Sequence, residues 1–382
     1  VGAPVVGAAV GAVVMPGGFG GGGDGDGDTR VGLAVGVAVG LAVGEAEGVA
    51  VSEVPVASLL DLSLKEGQTI DLGGKVKVQV METPGHSVDS LCYYLEEEGV
   101  LFTGDTLLGS STTTVSDLSS YRRSLQRLVD LPNLKVICVY GHGVDSALLD
   151  PDLPEGVPLV RLTDQTMANW MSEYLLTVVF MHRRDMLTHV RDPSSIPWGK
   201  TVRLPGNQVG ILGLGYLGQH AAGLFTKNGF KVLGWSRTPK SLAEIQTFSG
   251  LQGLSEMLSE SDFLICLLPL TPETESLICL KTLRQMKPGG YLINVGRGEH
   301  LVEEDLLRVL DEGHLSGACL DVFRTEPLPQ THFLRRHSKI LVTPHNSSST
   351  PAHSVAPQIL DNFRRMQTGV PLVNQIDLRL GY

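Results

Sequence analysis

Gln208-Val-Gly-Ile-Leu-Gly213-Leu-Gly215-Tyr216-Leu217-Gly218 is an apolar run that ends in the glycine pattern G-x-G-x-x-G. The run reads as a buried strand, and the residues after it predict a helix opening near Tyr216. Gly213 permits a tight turn, Gly215 lets the backbone approach a pyrophosphate, and Gly218 allows close packing of helix on strand. N–H groups in the first helical turn, around Tyr216 and Leu217, then point at the phosphates. Alone, such a pattern is also a plain glycine-rich turn. Here it lies between strand and helix in a βαβ-length unit, which is the setting a dinucleotide site requires.

A second strand follows at Lys231 to Trp235 and ends in Ser236-Arg237-Thr238. Ser236 lies 23 residues past Gly213, where a carboxylate would bind a ribose 2′-hydroxyl. A hydroxyl, a guanidinium and a hydroxyl suit a 2′-phosphate instead, because arginine binds phosphate bidentately. The segment therefore favours NADPH over NADH, and the bland alternative is that Arg237 is a solvated loop residue. It is the one cation at the immediate end of that strand.

Working outward, strands are expected at 136–139, 159–162, 209–212, 232–235, 263–267, 291–294, 318–321 and 340–342, with helical spacing between them. This alternation predicts an α/β fold with a doubly wound, mostly parallel sheet. Upstream, 75–80, 91–95 and 100–102 read as strands, and 117–128 has helical spacing through Leu118, Tyr121, Leu125 and Leu128. Residues 1–55 are Gly/Val/Ala-rich with a Gly-Asp run from Gly23 to Asp28. Glycine at that density raises the entropy cost of ordering, so disorder is expected there. An extended valine-rich strand is the alternative.

The 382 residues leave room for more than one domain, and the net charge of −11 argues against general nucleic-acid binding. The five cysteines (Cys92, Cys138, Cys266, Cys279, Cys319) show no C-x-x-C spacing and read as core thiols of a reducing compartment. No run is apolar for the roughly 18 residues a membrane span needs. The expectation is a soluble, cytoplasmic protein that binds no membrane. A start at Val1 and not Met points to a true N-terminus further upstream, so targeting is not read from it.

Three polar residues stand after late strands: Arg297 in Asn294-Val-Gly-Arg-Gly298, Glu326 in Asp321-Val-Phe-Arg-Thr-Glu-Pro-Leu-Pro329, and His345 in Thr343-Pro-His345. In open α/β sheets, ligands bind beyond the carboxyl ends of strands. Each residue alone is an ordinary surface group, but their joint placement fits carbonyl reduction. The arginine polarises the carbonyl and holds a neighbouring carboxylate, the histidine supplies the proton, and the glutamate orients the imidazole.

From about 131 to 382 the chain resembles the D-isomer-specific 2-hydroxyacid dehydrogenases, and most closely their glyoxylate/hydroxypyruvate reductase A branch. The resemblance rests on Gly141-His-Gly-Val-Asp-Ser146, Gly213–Gly218, Trp235-Ser-Arg237, Leu268-Pro-Leu-Thr-Pro-Glu-Thr274, Asn294–Gly298, Leu320-Asp-Val-Phe323, Glu326–Pro329, Thr343–His345 and the closing Gly381-Tyr382. It implies a Rossmann domain that binds NADPH and reduces a small 2-oxo acid. It makes Arg297 the substrate arginine, Glu326 the partner of the histidine and His345 the general acid/base. It also sets Asp321 against the nicotinamide carboxamide, and places Leu268, Pro269, Thr274 and Val295 along the cofactor cleft with Gly213, Gly215, Tyr216, Leu217, Gly218, Ser236, Arg237 and Thr238. Backbone N–H groups at His142 and Gly143 would cradle the substrate carboxylate. The Asn346-Ser347-Ser348 that follows His345 departs from the apolar or small residues usual there.

The family's flavodoxin-like substrate domain would begin well before residue 131, so a truncated substrate domain is expected. In its place, about 59–130 resembles part of the metallo-β-lactamase-fold hydrolases, through Glu82-Thr-Pro-Gly-His86 and Phe102-Thr-Gly-Asp105. His86, Asp105 and His142 would be metal ligands in that fold, but no H-x-H-x-D-H motif precedes them, so no metal site is expected. The expected divisions are 1–55 (low complexity), 56–130 (partial lactamase-like segment), 131–163 (remnant of the substrate domain), 164–350 (Rossmann domain) and 351–382 (a C-terminal helix returning to the substrate domain). Two further readings stand beside the reductase: a nucleotide-binding remnant without turnover, and a metal hydrolase. A homodimer is the expected assembly.

Overall fold

The computed structural model describes residues 10–13, 66–71, 77–82, 91–95, 100–102, 134–139, 143–148, 153, 156–192, 194, 198–349, 358, 361–362, 364–366 and 368–381. Two compact units divide the chain, one of residues 1–164 with 350–382 and the other of residues 165–349.

In the first unit, β1 (Val10–Val13), β2 (Thr69–Asp71), β3 (Lys77–Glu82), β4 (Leu91–Leu95), β5 (Val100–Phe102), β6 (Leu134–Val139) and β7 (Leu159–Arg161) form a mixed sheet in the order β2-β3-β4-β5-β1-β6-β7. The disorder expected for 1–55 does not hold for Val10–Val13, which lies parallel between β5 and β6. Its valines favour an extended backbone, and a strand on each side takes up its polar groups. The sheet also runs across the division expected at 130, since β6 pairs with both β1 and β7. Residues 374–376 return to β7: Arg161 N–H donates to Asn374 O at 3.1 Å and Ile376 N–H to Leu159 O at 2.8 Å. Buried Asn362 holds this return by exchanging side-chain bonds with the backbone of Val373, at 3.1 and 2.7 Å. The helix expected at 117–128 lies outside the described residues.

In the second unit, β8 (Gln208–Leu212), β9 (Lys231–Ser236), β10 (Gln246–Ser249), β11 (Phe263–Cys266), β12 (Gly290–Asn294), β13 (Leu315–Leu320) and β14 (Ile340–Val342) form a sheet that is parallel throughout. Its order, β10-β9-β8-β11-β12-β13-β14, is the doubly wound order 3-2-1-4-5-6 with one strand added. Alternate residues feed two cores. Val209, Ile211, Phe263, Ile265, Tyr291 and Ile293 pack on one face with the helices Gln165–Arg183 and Tyr216–Lys227. Leu212, Leu264, Cys266, Leu292, Ala318 and Leu320 pack on the other with Gly250–Glu260 and Glu303–Asp311. Both faces are covered, which is why these strands read as unbroken apolar runs. The edge strand β10 was not anticipated, because Gln-Thr-Phe-Ser is polar on average and only partly buried.

Candidate active site

The strand order reverses between β8 and β11, whose ends pair through Leu212 and Cys266. Loops leaving the carboxyl ends of two such strands form the crevice where doubly wound folds hold ligands. The loop after β8 turns at Gly213, whose φ of +101° suits glycine and whose N–H donates to Trp235 O at 2.9 Å. A Cβ on Gly213 would lie 2.6 Å from Leu267 O, and one on Gly218 would lie 1.9 Å from Gly213 O. Gly215 differs, since a Cβ there meets nothing within 4 Å. Two glycines therefore serve packing, while the third leaves a bare backbone at the helix N-terminus, as a pyrophosphate would need. Beside it Leu217 is buried and Tyr216 exposed.

At the end of β9, buried Ser236 donates its hydroxyl to Thr238 O at 2.8 Å, so it shapes the turn. Arg237 and Thr238 are exposed. A second cation also serves this end: Lys240 Nζ reaches back to Leu214 O in the glycine loop at 2.7 Å. Three residues of turn, 237–239, separate it from the end of the strand, so the sequence pattern at the strand terminus does not mark it. On the facing loop the exposed Glu273 carboxyl is held below its ordinary range, mainly by its own backbone N–H and Thr271 and more weakly by Arg237. Leu268 is buried there, and Thr274 closes the loop by donating to Pro269 O at 2.7 Å and accepting Thr271 N–H at 2.8 Å.

After β12, buried Asn294 shapes the Arg297 loop. Its Nδ2 donates to Arg297 O at 2.9 Å, and its Oδ1 accepts Gly296 N–H at 3.2 Å. Val295 is buried beside it. A Cβ on Gly298 would lie 1.9 Å from the carbonyl carbon of Phe323, so this loop is pressed onto the segment that carries Glu326. The partly buried Arg297 thus sits at the carboxyl end of β12.

Glu326 and His345 meet directly. Glu326 Oε1 accepts Phe323 N–H at 2.8 Å, and Oε2 accepts from His345 Nδ1 at 2.7 Å. That bond assigns the proton of neutral His345 to Nδ1 and leaves Nε2 for exchange with a ligand. His345 has φ +51°, an uncommon conformation for a residue with a Cβ, and its N–H donates to Asp321 O at 2.9 Å. The fully buried Asp321 carboxylate ties down the same loop: Oδ1 accepts from Thr343 Oγ1 at 2.5 Å and Asn346 N–H at 3.0 Å, and Oδ2 accepts Ser347 N–H at 2.9 Å. Behind Thr343 stands Tyr174, its hydroxyl 2.6 Å from Thr343 Oγ1 and 3.2 Å from Cys319 Sγ. Burial pushes the Tyr174 hydroxyl far above its ordinary range and the Cys319 thiol up to about 12, so both stay protonated. No local pattern marks Tyr174, since its partner is 169 residues away.

Of the remaining expected positions, Gly143 lies in the first unit, and His142, His86 and Asp105 lie outside the described residues. Among the described residues no group of three His, Cys, Asp or Glu could hold a metal. No helix among them is long and apolar enough to cross a membrane.

The family model for "D-isomer specific 2-hydroxyacid dehydrogenase, NAD binding domain" matches residues 177–347. That for the metallo-beta-lactamase superfamily matches 15–142, wider at both ends than the expected 59–130. A glyoxylate/hydroxypyruvate reductase A of Photorhabdus laumondii is 39% identical over 264 residues, which covers 67% of this chain and 84% of that protein. One from Serratia proteamaculans is 38% identical over 272 residues, covering 69% and 86%. Among solved structures, a D-isomer specific 2-hydroxyacid dehydrogenase of Xanthobacter autotrophicus in complex with NADPH and MES superposes with a TM-score of 0.64 at 39% identity, covering 70% of this chain and 83% of that one. An NADPH-dependent glyoxylate/hydroxypyruvate reductase of Sinorhizobium meliloti in complex with NADP and sulfate gives 0.62 at 36%, covering 66% and 81%.

Proposed function

The chain belongs to the D-isomer specific 2-hydroxyacid dehydrogenase family, and on that premise we propose that it is an NADPH-dependent reductase of small 2-oxo acids such as glyoxylate or hydroxypyruvate. The observation that carries the proposal is the 2.7 Å bond between His345 Nδ1 and Glu326 at the carboxyl end of a doubly wound sheet. The Gly213–Gly218 loop fits the cofactor pyrophosphate because Gly215 leaves its backbone bare. Arg237, with Lys240 beside it, would receive the 2′-phosphate. Leu268, Pro269, Thr274 and Val295 would line the cleft, and Asp321 would carry the carboxamide contact while holding the histidine loop.

When bound, the reduced nicotinamide supplies a hydride to the carbonyl carbon. Arg297 would pair with the substrate carboxylate and polarise the carbonyl. His345, entering the step as the imidazolium with protons on both nitrogens, would donate its Nε2 proton to the carbonyl oxygen and return to the neutral Nδ1–H form, so that a 2-oxo acid gains one hydride and one proton and leaves as the 2-hydroxy acid. Glu326 keeps the imidazole oriented and offsets its charge. We place the enzyme in the cytoplasm, as a homodimer.

A second reading, a nucleotide-binding module without turnover, is favoured by a different family's model matching residues 15–142. The proposed shortening of the substrate domain belongs to that reading, and the match to the Photorhabdus relative leaves less than a fifth of that protein uncovered. Calorimetry with NADPH and an assay of NADPH oxidation by glyoxylate and hydroxypyruvate separate the two. Binding with turnover supports the reductase, binding without turnover supports the module, and no binding refutes both.

A further inference from the structure

His300 has no part in the chemistry above, yet it is fully buried beneath the candidate site and both its ring nitrogens are engaged. Nδ1 accepts the backbone N–H of Arg297 at 3.0 Å, and Nε2 lies 3.2 Å from Pro269 O. A backbone N–H can only donate and a carbonyl can only accept, so one neutral tautomer satisfies both bonds, with its proton on Nε2. The Cys266 thiol is 3.6 Å from Nδ1, and burial pushes its pKa up to about 12, so it adds a weak donor and no charge. A Cβ on Gly296 would lie 3.0 Å from Nδ1, which shows how closely the Arg297 loop lies on the ring. One side chain therefore ties the loop after β12, which carries Arg297, to the loop after β11, which carries Leu268 and Pro269.

We propose that His300 is a positioning residue that sets the substrate arginine in register with the wall of the cofactor cleft. The inference rests on the reductase reading for its kinetic consequences. It assigns separate jobs to the two nitrogens: Nδ1 serves the substrate side and Nε2 the cofactor side. Asparagine can reproduce the Nδ1 acceptor, glutamine the Nε2 donor, and leucine neither.

The test compares His300→Asn, His300→Gln and His300→Leu in the full chain. Each lost bond is a neutral one, worth about three- to tenfold in binding. His300→Gln should raise the KM for glyoxylate by that factor and move the KM for NADPH by less than about twofold. His300→Asn should do the reverse, and His300→Leu should raise both. Identical behaviour of the Asn and Gln variants, or a Leu variant with wild-type constants, would overturn the proposal. Amide exchange of the segment containing Arg297 gives a readout independent of turnover. Faster exchange in His300→Gln and His300→Leu, with the wild-type rate in His300→Asn, supports the proposal; an unchanged rate in His300→Gln overturns it. Should the wild type show no reduction at all, the functional reading fails while the exchange result still decides the role of His300.

Discussion

Asp321→Asn is the most demanding test of how the histidine loop is built. The wild-type carboxylate accepts three bonds, two on Oδ1 from Thr343 and Asn346 and one on Oδ2 from Ser347. Asparagine can keep the two Oδ1 bonds with its amide oxygen. Its NH2 group then faces the Ser347 N–H, donor against donor, at a residue only 6% exposed. The change loses one charge-assisted bond and strands a buried N–H, for a net cost of about 2–4 kcal/mol. In a unit of this size that lowers Tm by roughly 5–15 °C. Thermal unfolding of the full chain measures the loss, and amide exchange of residues 343–348 should locate it in that loop. His345 shares the loop and bonds to Asp321 O, so kcat should fall as well. A variant within about 0.5 kcal/mol of wild type, with unchanged exchange in that segment, refutes the reasoning.

Gly215→Ala should leave Tm unchanged, because its Cβ meets nothing within 4 Å, yet weaken NADPH binding about tenfold or more by covering the bare backbone; calorimetry that finds wild-type affinity counts against the pyrophosphate site. Arg237→Ala should weaken NADPH by about 10- to 100-fold and leave NADH nearly unchanged, whereas equal losses would make the arginine a support of the fold. Burial against Tyr291 and Phe263 holds the His182 pKa down to about 4, from 6.5. The folded state thus keeps this histidine neutral, and its contribution to stability is full above pH 6.5 and lost as pH falls through about 4. The loss approaches about 3 kcal/mol, so denaturant titrations at pH 7 and 4.5 should show a gap that narrows in His182→Phe.

The second unit was legible because its signals are local. Unbroken apolar runs such as Phe263–Cys266 mark strands covered on both faces, and Gly213, Gly215 and Gly218 occupy the three positions that the turn, the open backbone and the helix packing require. The pairing of Glu326 with His345 could be expected from two motifs standing after successive strands. What stayed hidden depends on partners remote in sequence. Tyr174 acquires its place only through Thr343, and His300 only when Pro269 folds onto it. Lys240 reads as a surface residue until the turn after β9 brings it back to Leu214. Val10–Val13 reads as glycine-rich low complexity, and only pairing with β5 and β6 makes it a strand.

The central claim is that the His345–Glu326 pair delivers the proton in the reduction of a 2-oxo acid. Single-turnover oxidation of bound NADPH by hydroxypyruvate, in wild type and in His345→Ala, tests it most directly. The account predicts a wild-type transient that slows by about 10²–10⁴-fold in the variant while NADPH affinity is kept. Equal transients in the two proteins would contradict it.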